Sequence, residues 1–411
     1  MSEPEQTDKD LQRQISAEYK QWKSTAPYLY DLLMTDKQDW PSLTCQWMPT
    51  NTRGEESVSQ ELMIGTLTND EEPNYIKFLS VDIANLENNA GEKALHARIE
   101  IKQRIRHEGE VNRVRYQPAN PDIIATQTRE GDVLVFDRTK VVQDVTCDPI
   151  LRLKGHTQEG YGLAWNPHLP NHLLSASFDK TICHWPEFRD IRGSVNQDRI
   201  LEPYQRYEGH TGCVADVHWN AADESLFASV ADDKTLMIWD TRSPKRPTQS
   251  VQAHDGEVNS VAFHPRKEWL LATGSSDKTI GLFDIRKLNN KLHSLEMHQS
   301  HVRQVAWSPH DGPILASCGL DRRLMIWDLE RIGEEQSAED AEDGPPELMF
   351  VHAGHTHTVS EFSWNPLDRW TIASVADDNI LHVWKMTSSL CRRTDADKDM
   401  EYMQAAPTDL E

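Results

Sequence analysis

Apolar and polar positions along most of this chain fall into short runs of strand length, a pattern expected of half-buried sheets. Val302-Arg303-Gln304-Val305-Ala306-Trp307 is one such run. A proline-containing turn follows it, and then a small-residue run, Ile314-Leu315-Ala316-Ser317-Cys318. Asp-Lys-Thr turns open a third type, Leu236-Met237-Ile238-Trp239, and a fourth, Ile150-Leu151-Arg152-Leu153-Lys154, precedes Gly155-His156. The repeating unit is therefore four strands. The N-terminal segment follows a different rule: Leu11, Ile15, Tyr19 and Trp22 recur at spacings of four, four and three, which predicts an amphipathic helix ending before Pro27.

A fixed ruler runs through the strand units. Six histidines are each followed 29 residues later by an aromatic residue: His107/Phe136, His156/Trp185, His210/Trp239, His254/Phe283, His298/Trp327 and His355/Trp384. Nine residues after each histidine stand Tyr116, Trp165, Trp219, Phe263, Trp307 and Trp364. The nineteen offset holds Thr126, Ser175, Ser229, Thr273, Ser317 and Ser374, and the twenty-three offset Glu130, Asp179, Asp233, Asp277, Asp321 and Asp378. With Gly155-His156, Gly209-His210, Gly354-His355, Trp239-Asp240 and Trp327-Asp328, the unit resembles the WD40 repeat. That resemblance implies a hydrogen-bonded His, Ser/Thr, Asp and Trp network inside each blade, with Phe136 and Phe283 lacking the indole N–H.

Six units call for a seventh to close a ring of the usual size. Leu43-Thr44-Cys45-Gln46-Trp47-Met48-Pro49 shares the aromatic-x-Pro ending of Gly162–Pro167 and is followed by strand-like Leu62–Leu67, Tyr75–Ile83 and Arg98–Ile105, a degenerate first blade. The apolar stretch Tyr28–Thr35 is then the missing outer strand of the last blade, so both chain ends meet in one sheet and no edge is left over. The expected architecture is all-β: a seven-bladed WD40 propeller over residues 28–387, preceded by a helix at 1–27 and followed by a short C-terminal helix and acidic tail at 388–411.

The 411 residues are thereby absorbed in one unit. Cys45, Cys147, Cys183, Cys213, Cys318 and Cys391 form no C-x-x-C pair and read as small buried thiols in a reducing compartment. Met1-Ser2-Glu3-Pro4-Glu5 lacks an apolar core and no stretch approaches membrane-span length, so an intracellular soluble protein without membrane contact is expected. The net charge of −23 disfavours direct nucleic-acid binding and favours a Lys/Arg-rich protein partner.

Successive histidines are 49, 54, 44, 44 and 57 residues apart, so the largest insertion lies between His298 and His355. It occupies 331–347, carries Glu334, Glu335, Glu339, Asp340, Glu342, Asp343 and Glu347 around Pro345-Pro346, and has Arg331 as its single base. An acidic edge beside an amphipathic helix would suit a basic amphipathic helix as ligand. The segments Glu18–Lys23, Trp40–Thr44, His107–Arg113, Glu159–Leu163 and Gly333–Glu347 resemble the retinoblastoma-associated histone-binding WD-repeat chaperones over nearly the whole chain. The resemblance implies a groove for the first helix of histone four, with Asp340, Asp343, Phe350 and Val351 on one side, Ile15, Tyr19, Tyr28 and Leu29 on the other, and Leu390 from the C-terminal helix. Cys391-Arg392-Arg393 departs from the acidic stretch usual at that corner.

A second surface is expected at the narrow face of the ring, where residues three and five beyond each histidine emerge: Glu110, Glu159, Cys213, Glu257, His301 and Thr358, then Asn112, Tyr161, Ala215, Asn259, Arg303 and Ser360. By resemblance this face holds a histone three tail or basic peptide through Glu110, Asn112, Glu159, Tyr161, Asp232 and Asp377. Ala215, His301 and Arg303 depart from the acidic and aromatic groups expected there. The implied role is a non-enzymatic, cofactor-free nuclear scaffold, with a cytoplasmic pool, inside chromatin assembly, acetyltransferase, deacetylase or Polycomb-type methyltransferase complexes.

The same residues admit three other readings. The six His–Ser/Thr–Asp sets contain hydrolase residue types, but their regular recurrence favours a structural role. His352, His355 and His357 lie close together in sequence without a cysteine or carboxylate to complete a metal site. Trp239-Asp240-Thr241-Arg242 matches the Trp-Asp-x-Arg of substrate receptors in cullin-type ubiquitin ligases, although an arginine after an ordinary strand end gives the same string.

Overall fold

The structure, a computed structural model, describes residues 3–53, 57–69, 71–84, 98–141, 146–185 and 199–391. It is a ring of seven sheets, with the helix α1 (Glu3–Leu29) outside it. Blade 1 comprises Cys45–Arg53, Ser57–Gly65, Asn74–Ala84 and Arg98–His107, the four strands expected of the degenerate unit. Each of the six histidine units supplies one further blade. Blade 2 gains a fifth, parallel strand, Ile200–Leu201 against Leu151–Leu153, whose two residues were too short a run to stand out in the sequence. No helix among the described residues is long and apolar enough to cross a membrane.

Closure is made by the two ends of the chain. Tyr30–Lys37 pairs antiparallel with Ile380–Met386, from Tyr30 opposite Met386 to Lys37 opposite Ile380, and becomes the outer strand of blade 7. On the channel side the same junction carries the buried Glu361. Its carboxylate accepts from Thr44 Oγ1 (2.6 Å) and the Cys45 amide (2.8 Å) of blade 1, and is ion-paired to Arg113 and Arg115 of blade 2. Burial alone would raise its pKa, but the two guanidiniums outweigh that and hold it down to about 2.

Two of the sequence columns have separate mechanical roles. The indoles of Trp165, Trp219, Trp307 and Trp364 donate to backbone carbonyls of the preceding blade (Arg115, Ala164, Ala262 and Ala306) at 3.0–3.1 Å, stapling neighbours together. The histidine column works within blades. His156, His210 and His298 each bind a serine through Nε2 at 2.7–2.8 Å and an aspartate through Nδ1 at 2.8–3.1 Å, while Trp185, Trp239 and Trp327 donate to the same serines. Blade 5 lacks the indole, and in blade 2 His107 Nδ1 meets the Gly109 carbonyl at 3.0 Å. Ser175, Ser229, Ser317 and Ser374 are fully buried, so these sets present no nucleophile to solvent.

The helix α1 runs through Pro27 to Leu29, past its expected end. Proline in the last turn removes one helical bond, and burial of Trp22 and Ala26 together with the Thr387 N–H on the Leu29 carbonyl (2.9 Å) holds the turn in place. The tail of the chain is anchored likewise: the Ser388 amide donates to Asp31 Oδ2 (2.8 Å), and residues 388–391 form the short C-terminal helix. Arg392, Arg393 and the rest of the acidic tail lie outside the described residues. All six cysteines are free, four buried and two, Cys147 and Cys213, half-exposed.

Beneath α1 lies a directed hydrogen-bond chain. Trp22 Nε1 donates to the Tyr30 hydroxyl (3.0 Å), so the Tyr30 proton points at His352 Nδ1 (2.8 Å). His352 must then be protonated on Nε2, from which it donates to His382 Nδ1 (3.0 Å). The three-histidine cluster is thus His352, His355 and His382, with nitrogens within 4.8 Å, whereas His357 stays exposed on its turn. Both nitrogens of His352 are used in the chain, and those of His355 serve Ser374 and Asp378. In the same blade the Trp384 plane stacks on His352 at 4.5 Å, and its indole N–H has no acceptor among the described residues.

Replacing Glu361 by alanine would leave Arg113 and Arg115 without their buried counter-charge, a loss of about 3–5 kcal/mol. We expect a correspondingly lower urea midpoint, and an unmoved midpoint would count against Glu361 as the closing contact. A second expectation concerns pH. Burial first, then neighbouring histidines (with Arg323 for His352), lowers the pKa of His352 and His382 well below 6.5. Asp378 acts on His382 in the opposite direction. The unfolded chain therefore binds protons that the folded chain refuses, so their stabilisation is complete above 6.5 and is lost as the pH falls towards the lowered values. His382→Met, which restores the residue that Met237 and Met325 supply in blades 4 and 6, should flatten the acid decline of the melting temperature. Parallel wild-type and variant profiles would refute this assignment.

Candidate functional site

The acidic insertion leaves blade 6 after Leu324–Asp328 and returns as Leu348–His352. Between them it is tied mainly to itself. Ser337 Oγ accepts from the Asp340 amide (3.1 Å) and donates to Asp340 Oδ2 (2.7 Å), starting the short helix α2 (Asp340–Asp343). Gly344, at φ 135°, ends it, and Gln336 Nε2 binds the Gly344 carbonyl at 3.2 Å. At the return point the buried Glu347 carboxylate accepts from His293 Nε2 (3.1 Å), fixing where the loop rejoins the sheet. Glu335, Glu339, Asp340, Glu342 and Asp343 all remain exposed, and none has a cationic partner among the described residues; Glu334 pairs with Arg331 at 3.0 Å.

Directly beyond this lip, Phe350 joins the apolar cluster that seats α1. Tyr19, Leu29, Met349 and Leu390 lie half-buried around Trp22, Ala26, Tyr30, Phe350 and Met386, and Tyr28 is 82 % exposed. Four of the expected groove residues, Tyr19, Leu29, Phe350 and Leu390, therefore share one cluster. Ile15 is on the same helical stripe but only 9 % exposed. Val351 does not share that face. Successive strand residues point oppositely, and Val351 packs instead with Leu348 into the cluster spanning blades 5 and 6. Met349 takes its place because the register shifts between the partners of Ile326 and Trp327. The run Leu348-Met349-Phe350-Val351 is continuously apolar, so no alternation marked Met349 in advance.

The helix is also held electrostatically. Glu18 accepts from Arg322 (3.0 Å) and Arg323 (2.8 Å) on the blade 6 turn, which consumes both bases internally. The side surface thus combines an uncompensated anionic loop with a partly exposed apolar shelf, a pairing suited to a cationic amphipathic segment.

On the narrow face, Asn112 is nearly fully buried, donating to Glu159 Oε2 and the Gly160 carbonyl at 3.2 Å, with its own Oδ1 unpartnered among the described residues. Asn259 is likewise turned inward, onto the Val302 carbonyl at 2.8 Å. Both amides position backbone. The acids are more open: Glu257 and Asp377 are exposed, and Glu159 and Asp232 half-exposed. Burial first, and then the neighbouring Glu257 and Asp233, raises the Asp232 pKa, a sign of local acid excess. Against that stand two internal cations. Arg129 lies 3.7 Å from Glu110, and the Arg303 guanidinium sits over the Tyr161 ring at 5.9 Å.

The Trp-Asp-x-Arg string has a local explanation. Arg242 forks onto Asp240 at 2.7–3.1 Å, and Arg286 repeats the arrangement on Asp284 in blade 5. It is a feature of the repeat turn.

Comparison with known families gives two matches. Residues 17–85 match the family described as histone-binding protein RBBP4 or the C-subunit of the CAF1 complex, a span that takes in most of α1, the closing strand and most of blade 1. The WD domain, G-beta repeat, matches at 147–186, 201–240, 245–284, 289–328 and 346–385. The unit of His107, with Glu130 and Phe136 in place of aspartate and tryptophan, is not among those matches. With the ring, its closing strand and the docked helix in agreement, the chain belongs to the WD-repeat histone-binding family of the RBBP4 or CAF1 type and is a histone-binding scaffold.

Proposed function

We propose that this protein grips the first helix of histone four between the acidic lip and the shelf beside α1, presenting the histone to chromatin assembly, acetyltransferase, deacetylase or methyltransferase machinery in the nucleus. The observation that carries the reading is the set of carboxylates on 335–343, none neutralised from within the described residues, joined through one strand to half-buried Tyr19, Leu29, Met349 and Leu390. Arginines and lysines of a histone helix supply the missing cations, and its apolar stripe covers the shelf.

The narrow face is proposed as a weaker site for a basic tail. Glu159, Asp232, Glu257 and Asp377 favour such a ligand, while Arg303 over Tyr161 opposes it by occupying the aromatic face with an internal cation. A tail lysine or arginine has to displace it.

Asp340→Lys with Asp343→Lys should abolish binding of a histone four helix-one peptide in titration calorimetry without changing the melting temperature, and wild-type binding should weaken with added salt. Undiminished affinity in the double variant would remove the groove assignment. For the narrow face, Glu159→Lys should weaken a histone three tail peptide and Arg303→Ala should strengthen it, both leaving the helix peptide unaffected. Loss of both ligands in Glu159→Lys would mean that the two surfaces are one site.

A further inference from the structure

Blade 4 carries a feature that histone binding does not use. Its outer hairpin turn, residues 241–248 between Thr235–Asp240 and Gln249–Gln252, reads Thr-Arg-Ser-Pro-Lys-Arg-Pro-Thr, with Arg242, Lys245 and Arg246 in a chain of net charge −23. The turn is anchored only at its ends, where the Ser243 amide meets the Asp240 carbonyl (2.9 Å) and the Thr248 amide the Ile238 carbonyl (2.8 Å). Residues 244–247 make no hydrogen bond or ion pair to the described residues of the ring. The corresponding turn of blade 5 is different: a 3-10 turn, Ile285–Lys287, leads into Leu288, which is 2 % exposed and pins it to the core. In blade 4 none of residues 241–248 is buried.

We propose that Ser243 is a phosphorylation site for a proline-directed serine kinase that prefers a base three residues downstream. Pro244 fills the position after the serine, where a residue without an N–H leaves no unsatisfied donor in an apolar kinase pocket, and Arg246 stands at the third position for an acidic pocket. Ser243 is exposed, and the free stretch after it allows extension into a kinase cleft. The other Ser-Pro of the chain, Ser308-Pro309, makes the contrast. Ser308 is 2 % exposed, its hydroxyl accepts from the amides of His310 (3.3 Å) and Asp311 (3.1 Å), and Asp311 occupies the third position.

In the reaction Ser243 Oγ attacks the γ-phosphorus of magnesium ATP, its proton passes to the general base of the kinase, the bond to the β-phosphate bridging oxygen breaks, and ADP leaves. The product carries two negative charges when fully ionised, one residue from Arg242. Because Arg242 is held only by exposed pairing to Asp240, the phosphate competes for the same guanidinium and draws in Lys245 and Arg246, turning a basic, loosely held turn into a phosphate-clamped one.

The test incubates the full chain with magnesium ATP and a purified cyclin-dependent kinase and reads intact mass and peptide maps. One phosphoryl group on Ser243 is expected, absent in Ser243→Ala and largely lost in Pro244→Ala and Arg246→Ala. A full chain left unmodified by a kinase that phosphorylates the free 237–250 peptide would overturn the proposal, as would equal incorporation into Ser243→Ala. Phosphorus NMR tests the clamp: the phosphoserine pKa should lie below that of the free phosphopeptide and rise towards it in Arg242→Ala. Coincident titrations in the two proteins would overturn the clamp.

Discussion

The pairing of Tyr30–Lys37 with Ile380–Met386 is the constraint on which the rest of the structure depends. A ring of sheets has no free edge only when its last blade is completed, and here completion uses residues from opposite ends of the chain. The cost is loop closure over nearly the whole sequence, which grows only slowly with length, and the return is seven blades that each cover a neighbour's face. Everything else at the junction follows from it. The helix α1 must begin where the closing strand begins, the short C-terminal helix must end beside it, and Glu361 ties the inner strands of blades 7, 1 and 2 beneath them. The elements outside the ring therefore gather at one place.

Stability in the ring is divided between two repeated devices, which explains why the sequence advertises it so plainly. The histidine sets join strands within a blade, and the first-strand tryptophans join one blade to the next. Each device needs a fixed residue type at a fixed strand position, so each writes a column into the sequence. Where a blade finds another solution the column breaks. Phe263 offers no indole N–H, and in its place the Phe263 amide meets His218 Nδ1 at 3.4 Å. In blade 1 the Trp47 amide donates to Ser363 Oγ at 3.1 Å across the closure, while its own indole has no partner among the described residues.

What the columns could not reveal are contacts made once. Periodicity was enough for six blades, the degenerate first blade and the closing strand, because all recur or fill a counted vacancy. Glu361 reaches two arginines 246 and 248 residues away, and nothing in its neighbourhood marks it as ionic glue. His382 occupies a strand position held by Met237 and Met325 elsewhere, so closeness in sequence points instead to His357, which is exposed. Val351 and Met349 exchanged roles through a register shift inside an unbroken apolar run. Arg303 was legible as a departure, yet its seat over Tyr161, from a blade three places away, is a product of the ring.

The same division separates binding from folding. The lip folds on Ser337, Gln336 and Gly344 within itself and touches the ring through Glu347, so its exposed carboxylates owe nothing to the blades. The shelf beside it is different, since Trp22, Tyr30 and His352 belong both to its underside and to the junction. Charge changes in the lip therefore act on ligands alone, whereas changes beneath the shelf act on helix docking and through it on any ligand. A basic helix seated there would bridge a surface free to vary and a surface fixed by closure. Electrostatic attraction would then be set by the first and apolar fit by the second, and the two can be altered independently without reopening the ring.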